Sequence, residues 1–252
     1  MGIKIIRVLD RLVDAFVLCV CALLVCIGLY SVYDNLYIYE TAQDRSVLVY
    51  KPDLKKTLAD IRAEAEEEAR LTGEEVKDVV LDKQVAWLNV EDTTIDFPVM
   101  QGEDNYEFLN KRVKGEFSLG GAIFLDSRND SLFRDEYSLI YGHHMEYGVM
   151  FGSLDNFRDQ GYFSAHRHGT IVTEDAVYDY TLFAAIDGEG DDRVLFQPHR
   201  NTVSDVIERL RKDSVVFIEP EEECRIVAMS TCSADSYMSR LLVFGTIKEI
   251  NE

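Results

Sequence analysis

Two segments of the sequence place chemically reactive residues directly after apolar, strand-like runs. The segment Val227–Ser233 (VAMSTCS) ends in small hydroxyl residues and Cys232, and Leu139–Met145 (LIYGHHM) runs through a glycine into His143. Residues at strand ends are held rigidly while they stay accessible. A cysteine becomes a strong nucleophile when a nearby base or cation favours its thiolate. The pattern therefore predicts a thiol nucleophile with an imidazole partner.

Arg240 is a candidate third member of this site. It opens the next strand-like run, so a loop over residues 233–239 could return it to Cys232. A fixed guanidinium there could stabilise the oxyanion of a tetrahedral intermediate. The residues alone leave plainer interpretations open: a buried cysteine, a structural histidine, a surface arginine, or a disulfide between Cys224 and Cys232.

Composition excludes some functions. The chain has 26 Lys and Arg against 46 Asp and Glu, a formal net charge of -20. This balance argues against nucleic acid as a partner, because phosphate binding needs clustered basic residues. No CxxC motif or paired cysteine spacing points to a disulfide framework or a zinc site. The acidic pair Asp191–Asp192 is explained by a solvated loop, so we expect no metal and no cofactor.

The N-terminal part contains a candidate membrane anchor. Ala15–Tyr33 carries no formal charge over 19 residues, close to the roughly 20 needed to span a bilayer. Basic residues precede it and acidic residues follow it, which predicts a cytoplasmic N-terminus. A cleaved signal peptide is the alternative, but its apolar core is usually shorter and ends in a small-x-small site. We expect an uncleaved anchor.

The rest of the sequence predicts one helical segment and then many strands. Residues 50–82 have helical composition, with a capping-box spacing at Thr57 and Asp60 and a stop at Gly73. Short helices are expected at Tyr106–Leu109, Met150–Phe157 and Val203–Lys212. Strands are expected at Val85–Val90, Thr94–Val99, Gly121–Asp126, Ser138–Gly142, Thr170–Glu174, Tyr178–Ile186, Val215–Ile218, Arg225–Met229 and Leu241–Ile247. Many short strands with few helices imply a closed or nearly closed β-barrel.

The order LIYGHHM, then STC, then an arginine in a strand resembles the sortase family, and class B is the best match. The resemblance implies a mainly β fold: a closed barrel of about eight strands with peripheral helices, preceded by a transmembrane helix and a helical segment. The expected organisation is 1–14 cytoplasmic, 15–33 anchor, 34–78 helical and extracellular, and 79–252 catalytic barrel. Papain-like enzymes place cysteine before histidine, so the order speaks against them.

The resemblance also assigns roles to individual residues. It implies Cys232 as nucleophile, His143 as general acid and base, and Arg240 as stabiliser of the oxyanion and the substrate. His144 is implied to be a neighbour without a chemical role. Four further positions resemble the substrate groove of class B enzymes: Tyr141, Ser230, Asn105 and Leu109. Plain core packing is the alternative for Leu109.

The implied reaction is a transpeptidation at the outer face of the cell membrane. A C-terminal sorting signal of the NPxT type on a surface protein would be cleaved at Thr, and the acyl group passed to an amine of a cell-wall precursor. Class B also includes enzymes that join pilins through a Lys side chain, which stays an alternative. A plain cysteine peptidase and an inactive anchored binding domain are the other hypotheses that the sequence leaves open.

Overall fold

The computed structural model describes residues 2–42, 45–76, 78–221, 224–232 and 239–250. The chain divides into two compact units, one ending at Thr41 and one beginning at Ala42. The first unit is a helix, α1 (Gly2–Ala42), longer than the predicted anchor. Its most apolar 18-residue window has a mean hydropathy of 2.8, and α1 is the one helix in the described chain that could cross a membrane by length and composition.

The second unit is built on nine strands. They are β1 (Gln84–Val90), β2 (Asp96–Met100), β3 (Phe124–Leu125), β4 (Tyr137–Tyr141), β5 (His168–Thr173), β6 (Val177–Glu189), β7 (Val216–Phe217), β8 (Arg225–Cys232) and β9 (Ser239–Glu249). Their order is β5-β1-β2-β3-β4-β8-β9-β6-β7, and an added β5–β6 pairing joins the ends. Eight strands therefore form a closed barrel, as predicted, and β7 extends one edge of β6.

Among the described residues, three further α-helices and three 3₁₀ helices accompany this barrel, the shortest of them a single turn. They are α2 (Leu58–Thr72), α3 (Gln160–Ala165) and α4 (Val203–Asp213), with 3₁₀ helices at Arg45–Tyr50 and Phe151–Arg158 and a short turn at Glu146–Gly148. The predicted capping box is present at Thr57 and Asp60, and Gly73 ends α2 in the left-handed conformation that glycine tolerates.

The face of the sheet that bears β4, β8 and β9 is covered by α4 and the connection before it. Leu139, Ala228 and Leu242 pack there in one buried cluster with Leu195, Val206 and Leu210. Helix α4 contributes buried Val206 and Leu210 and partly buried Val203 to this core. Tyr137 donates a hydrogen bond from its hydroxyl to the carbonyl of Leu195 at 2.6 Å, which fixes the connection over the sheet.

Several predicted elements differ from those observed. The predicted helix at Tyr106–Leu109 is wrong, because the residues between 103 and 110 form turns. Strand β3 is only two residues long because it pairs with β2 at one position and with β4 at two. The predicted helix at Met150–Phe157 is a 3₁₀ helix one residue further along, and α3 was not predicted.

Candidate active site

The pairing of β4 with β8 sets the position of the histidine relative to the cysteine. The two strands are parallel, and Tyr141 lies opposite Ser230. The ladder continues one step further, since the Gly142 amide donates to the Ser230 carbonyl at 3.1 Å. In this register His143 and Cys232 each lie two residues beyond the Tyr141–Ser230 pair. Sequence-distant segments are thus brought together by strand register.

The pairing of β8 with β9 sets the position of the arginine. These strands are antiparallel, and Cys232, the last residue of β8, lies opposite Arg240. Directly paired residues of an antiparallel ladder share one face of the sheet. The backbone of Cys232 therefore lies between His143 and Arg240 at one edge of the barrel. The Cys232 side chain and the expected return loop at residues 233–238 lie outside the described residues.

The His143 ring is held by the backbone of another loop. Its Nε2 lies 2.8 Å from the carbonyl oxygen of Leu109. Because a carbonyl can only accept, Nε2 carries the hydrogen, and Nδ1 is the ring nitrogen left to exchange a proton. The backbone of Leu109, rather than its side chain alone, is thus part of the site, which the sequence pattern did not indicate.

His144, the next residue, is engaged elsewhere. Its Nε2 lies 2.7 Å from Oδ2 of Asp155, which also pairs with Arg158. Burial alone would raise the pKa of Asp155, but the hydrogen bonds from His144 and Arg158 outweigh it and lower that pKa. Adjacent histidines therefore have different surroundings: one ring contacts a backbone carbonyl, the other a carboxylate.

Arg240 is half-buried at the start of β9. Its Nη1 donates to the carbonyl of Ser239 at 2.9 Å. A guanidinium carries five N–H donors in a planar fork, a geometry suited to an oxyanion.

A buried carboxylate, Asp126, organises two of the residues predicted to line the groove. Its Oδ2 accepts hydrogen bonds from the Tyr141 hydroxyl at 3.0 Å and from Asn105 Nδ2 at 3.0 Å. Arg128 binds both carboxylate oxygens, at 2.8 and 2.6 Å, and also donates to the carbonyl of Phe196. Asp126 thereby links the loop of Asn105, the end of β4 and the connection before α4.

This network shifts the ionisation of its members. Burial alone would raise the pKa of Asp126, but the hydrogen bonds and charge of Arg128 outweigh it, so that pKa is lowered. Burial, followed by the charge of Asp126, raises the pKa of Tyr141 far above its ordinary value. At neutral pH the group is therefore a carboxylate with a neutral phenol and a guanidinium around it. Asp126 was missed from the sequence, although it ends the GAIFLD run as Cys232 ends its own strand.

The other two predicted groove positions differ in character. Ser230 is buried, and within the described chain neither its Oγ nor the Thr231 Oγ1 has a hydrogen-bond partner. Orphaned buried hydroxyls are uncommon, and they occur at sites that another segment or a ligand completes. The Leu109 side chain is partly exposed.

The possible disulfide between Cys224 and Cys232 is not formed, because the Cys224 thiol is free. The two cysteines lie at opposite ends of the extended β8 segment, roughly 26 Å apart at 3.3 Å per residue, far beyond disulfide reach. Burial raises the pKa of Cys224, which favours its neutral thiol.

Asp192 was expected to lie in a solvated loop, but its carboxylate has specific partners. It accepts hydrogen bonds from the Val194 and Leu195 amides and forms an ion pair with Arg209.

Comparison with known proteins identifies the family. The sortase domain family matches residues 88–248. The chain belongs to the sortase family. Sortase B of Listeria monocytogenes is 28% identical over 223 residues, covering 86% of this chain and 87% of that protein. Sortase B of Staphylococcus aureus is 25% identical over 174 residues, covering 66% and 71%.

Solved structures place the sortase in class B. A class B sortase of Streptococcus pyogenes involved in pilus biogenesis is 39% identical, with a TM-score of 0.62, and covers 68% of this chain and 95% of that one. Clostridium perfringens sortase B is 27% identical, with a TM-score of 0.60, covering 68% and 95%. The predicted class and the cysteine transpeptidase activity are thus confirmed, and family membership sets aside the inactive-domain hypothesis.

Proposed function

We propose that this class B sortase cleaves a C-terminal NPxT-type sorting signal at Thr and transfers the acyl group to an amine of a cell-wall precursor. Cys232 is the nucleophile, His143 the general acid and base, and Arg240 the oxyanion stabiliser. The observation that carries the proposal is the strand register, which sets the backbone of Cys232 between His143 and Arg240.

The chemistry follows from these positions. The Cys232 thiolate attacks the Thr carbonyl, and the new C–S bond places negative charge on the carbonyl oxygen beside Arg240. As the scissile C–N bond breaks, protonated His143 gives a proton to the leaving amine. The acceptor amine then attacks the thioester, His143 takes a proton from it, and the thiolate leaves as a new amide forms.

The groove residues take supporting roles in the proposal. Tyr141 and Asn105 form part of the wall, and both side chains are oriented by Asp126. The Ser230 hydroxyl, which has no partner among the described residues, is a hydrogen-bonding group for the bound signal. Leu109 contributes its carbonyl to His143 and its partly exposed side chain to the groove.

The α1 helix supports a single-pass anchor with the N-terminus in the cytoplasm and the barrel outside. Its apolar side chains are exposed, Leu18 by 72% and Phe16 by 69%, as expected of a surface that lipid covers.

Protease accessibility tests this topology. Protease added to intact protoplasts should remove the barrel and leave the N-terminus protected. Release into the culture medium of a barrel that lacks the N-terminal residues would instead indicate a cleaved signal peptide.

The function is tested with the full chain in detergent micelles. A sorting-signal peptide is incubated with and without an oligoglycine amine, and products are identified by mass. We expect a ligated product that requires the amine and is absent with Cys232→Ala. Cleavage that is indifferent to the amine would indicate a peptidase instead.

Pilin polymerisation is a second candidate because the Streptococcus pyogenes relative at 39% identity acts in pilus biogenesis. The same assay separates the two functions when a lysine-containing pilin domain competes with the wall amine. Preferential isopeptide formation on the Lys side chain would favour the polymerase.

A further inference from the structure

Exposed apolar side chains lie on loops of the catalytic unit near the residue where the chain enters it, Ala42. Phe117 is 73% exposed, Leu119 52% and Tyr147 89%. Single exposed apolar residues are normal on a soluble surface, so their clustering is what matters.

Two contacts bring these loops to Ala42. A Cβ built on Gly120, next to Leu119, would lie 3.5 Å from the Ala42 Cβ and 3.7 Å from the Met145 sulfur. On the other side, Ala42 and Tyr147 line one cleft of about 420 Å³. We call the set Phe117, Leu119 and Tyr147 the entry collar.

The hairpin that carries Phe117 is basic, unlike the molecule as a whole. Lys111 pairs with Phe117 across the hairpin, and the Arg112 amide donates to the Glu116 carbonyl. Residues 111–119 hold three basic side chains and one acidic side chain in a protein of net charge -20. Basic groups beside exposed aromatic and aliphatic groups are the composition of surfaces that rest on anionic membranes.

The hairpin also packs on the segment that directly follows α1. The Lys114 ammonium lies 5.5 Å from the centroid of the Tyr50 ring, and Val113 packs in a cluster with Val47 and Tyr50. Lys111 is within 3.6 Å of Glu107, so part of its charge is balanced, and exposed Glu146 lies beside Tyr147. The hairpin of the collar thus packs on residues 47–50 of the catalytic unit.

We propose that the entry collar is a lipid-contact surface that rests on the bilayer interface. The proposal rests on the anchoring stated under the proposed function. Its consequence follows from Gly121, where a built Cβ would lie 3.1 Å from the His143 ring. The loop of the collar therefore packs close to the proposed proton-transfer residue. A collar that rests on the bilayer holds the site at the depth where lipid-linked amines and tethered substrates lie.

The collar is tested by tryptophan fluorescence of the full chain in nanodiscs that contain anionic and brominated lipids. The chain's one tryptophan, Trp87, is fully buried, so its signal is subtracted with the wild-type protein. Phe117→Trp is compared with Val215→Trp, a 52% exposed position next to β7 that serves as the matched control. We expect a blue shift and strong quenching for Phe117→Trp and none for Val215→Trp.

Equal quenching at the two positions would overturn the proposal. So would a blue shift that grows with protein concentration but comes without lipid quenching, because that result would indicate self-association. A rate measurement then tests the consequence. The double variant Phe117→Ser/Tyr147→Ser should lower turnover of a lipid-anchored signal peptide about tenfold, with turnover of a soluble peptide unchanged. A failure of the proposed function would abolish both turnovers in the wild type and leave the quenching result readable.

Discussion

Arg240 lies opposite Cys232 in the strand ladder, and its shape as well as its charge suits the proposed role. A lysine keeps the charge but loses the planar fork of donors. We expect Arg240→Lys to lower kcat about 10²–10³-fold, with a smaller change in KM and an unchanged melting temperature. Steady-state kinetics with a sorting-signal peptide measure the split. A variant with wild-type kcat would remove Arg240 from the mechanism.

Asp126 links stability to pH through its lowered pKa. Because its folded pKa lies below the unfolded value of about 3.9, ionised Asp126 stabilises the fold above pH 4, and this contribution is lost as pH falls through the folded pKa. Asp126→Asn should cost about 2–3 kcal/mol at pH 7, since Tyr141, Asn105 and Arg128 then face an amide in place of a carboxylate.

Urea unfolding at pH 7 and pH 3 checks this expectation. The difference between wild type and Asp126→Asn should shrink at pH 3, whereas Asp191→Asn, in an exposed loop, should match the wild type at both values. A gap that stays constant with pH would contradict the linkage.

The sequence indicates the candidate catalytic residues because Cys232 and His143 each follow an apolar run and Arg240 opens one, and such runs begin and end at the rim of a barrel. The Asp126 network could not be predicted from the sequence, because its partners come from three segments separated in sequence. No local sequence feature distinguishes a carboxylate that binds Arg128, Tyr141 and Asn105 from a carboxylate exposed to solvent. The same holds for the Leu109 carbonyl, since backbone groups leave no trace in residue identity.

At the level of elements, α2 has one buried side chain, Leu58, while Ala59 and Arg62 contact Glu174. Leu58 packs with Trp87, Val172 and Val177. We expect Leu58→Ala to cost about 3 kcal/mol, the transfer and cavity terms for a buried leucine. Leu71→Ala is the matched control, since Leu71 is on the same helix and is 74% exposed. Chemical denaturation should show a loss for the first variant and none for the second.

Gly142 connects the end of β4 to His143, and it is tightly packed. A Cβ at this position would lie 2.5 Å from Ile123 Cδ1 and 2.6 Å from Phe151 Cδ2. Gly142→Ala should therefore shift the strand exit, costing about 1–3 kcal/mol of stability and reducing kcat. Gly161→Ala, whose Cβ meets only an Asp159 carboxylate oxygen at 3.2 Å, should leave activity intact. Full activity in Gly142→Ala would show that the exit tolerates movement.

Elements with a clear period or cap were predicted well, and those defined by tertiary pairing were not. The capping box of α2 and the ten-residue pattern of α4 are local signals. The two-residue β3 and the turns at 103–110 depend on which strands lie beside them. Strand β8 extends to Cys232, three residues past its predicted end, because β9 pairs with it to that point.

At the scale of the molecule, the barrel and its core lie in the unit that begins at Ala42. We expect a chain lacking residues 1–41 to unfold in one cooperative transition, with a melting temperature close to that of the full chain in micelles. Differential scanning calorimetry makes the comparison. A broad or much lower transition would mean that the barrel needs the helix for its stability.

The parallel pairing of β4 with β8 has a consequence for biosynthesis. The two strands are far apart in sequence, so in the anchored topology proposed above every segment between them must be exported before they can align. Until then the exported part of the polypeptide carries His143 but not Cys232. Reactivity therefore arises only when translocation and folding are complete, and a half-exported enzyme cannot acylate the secretion machinery or itself.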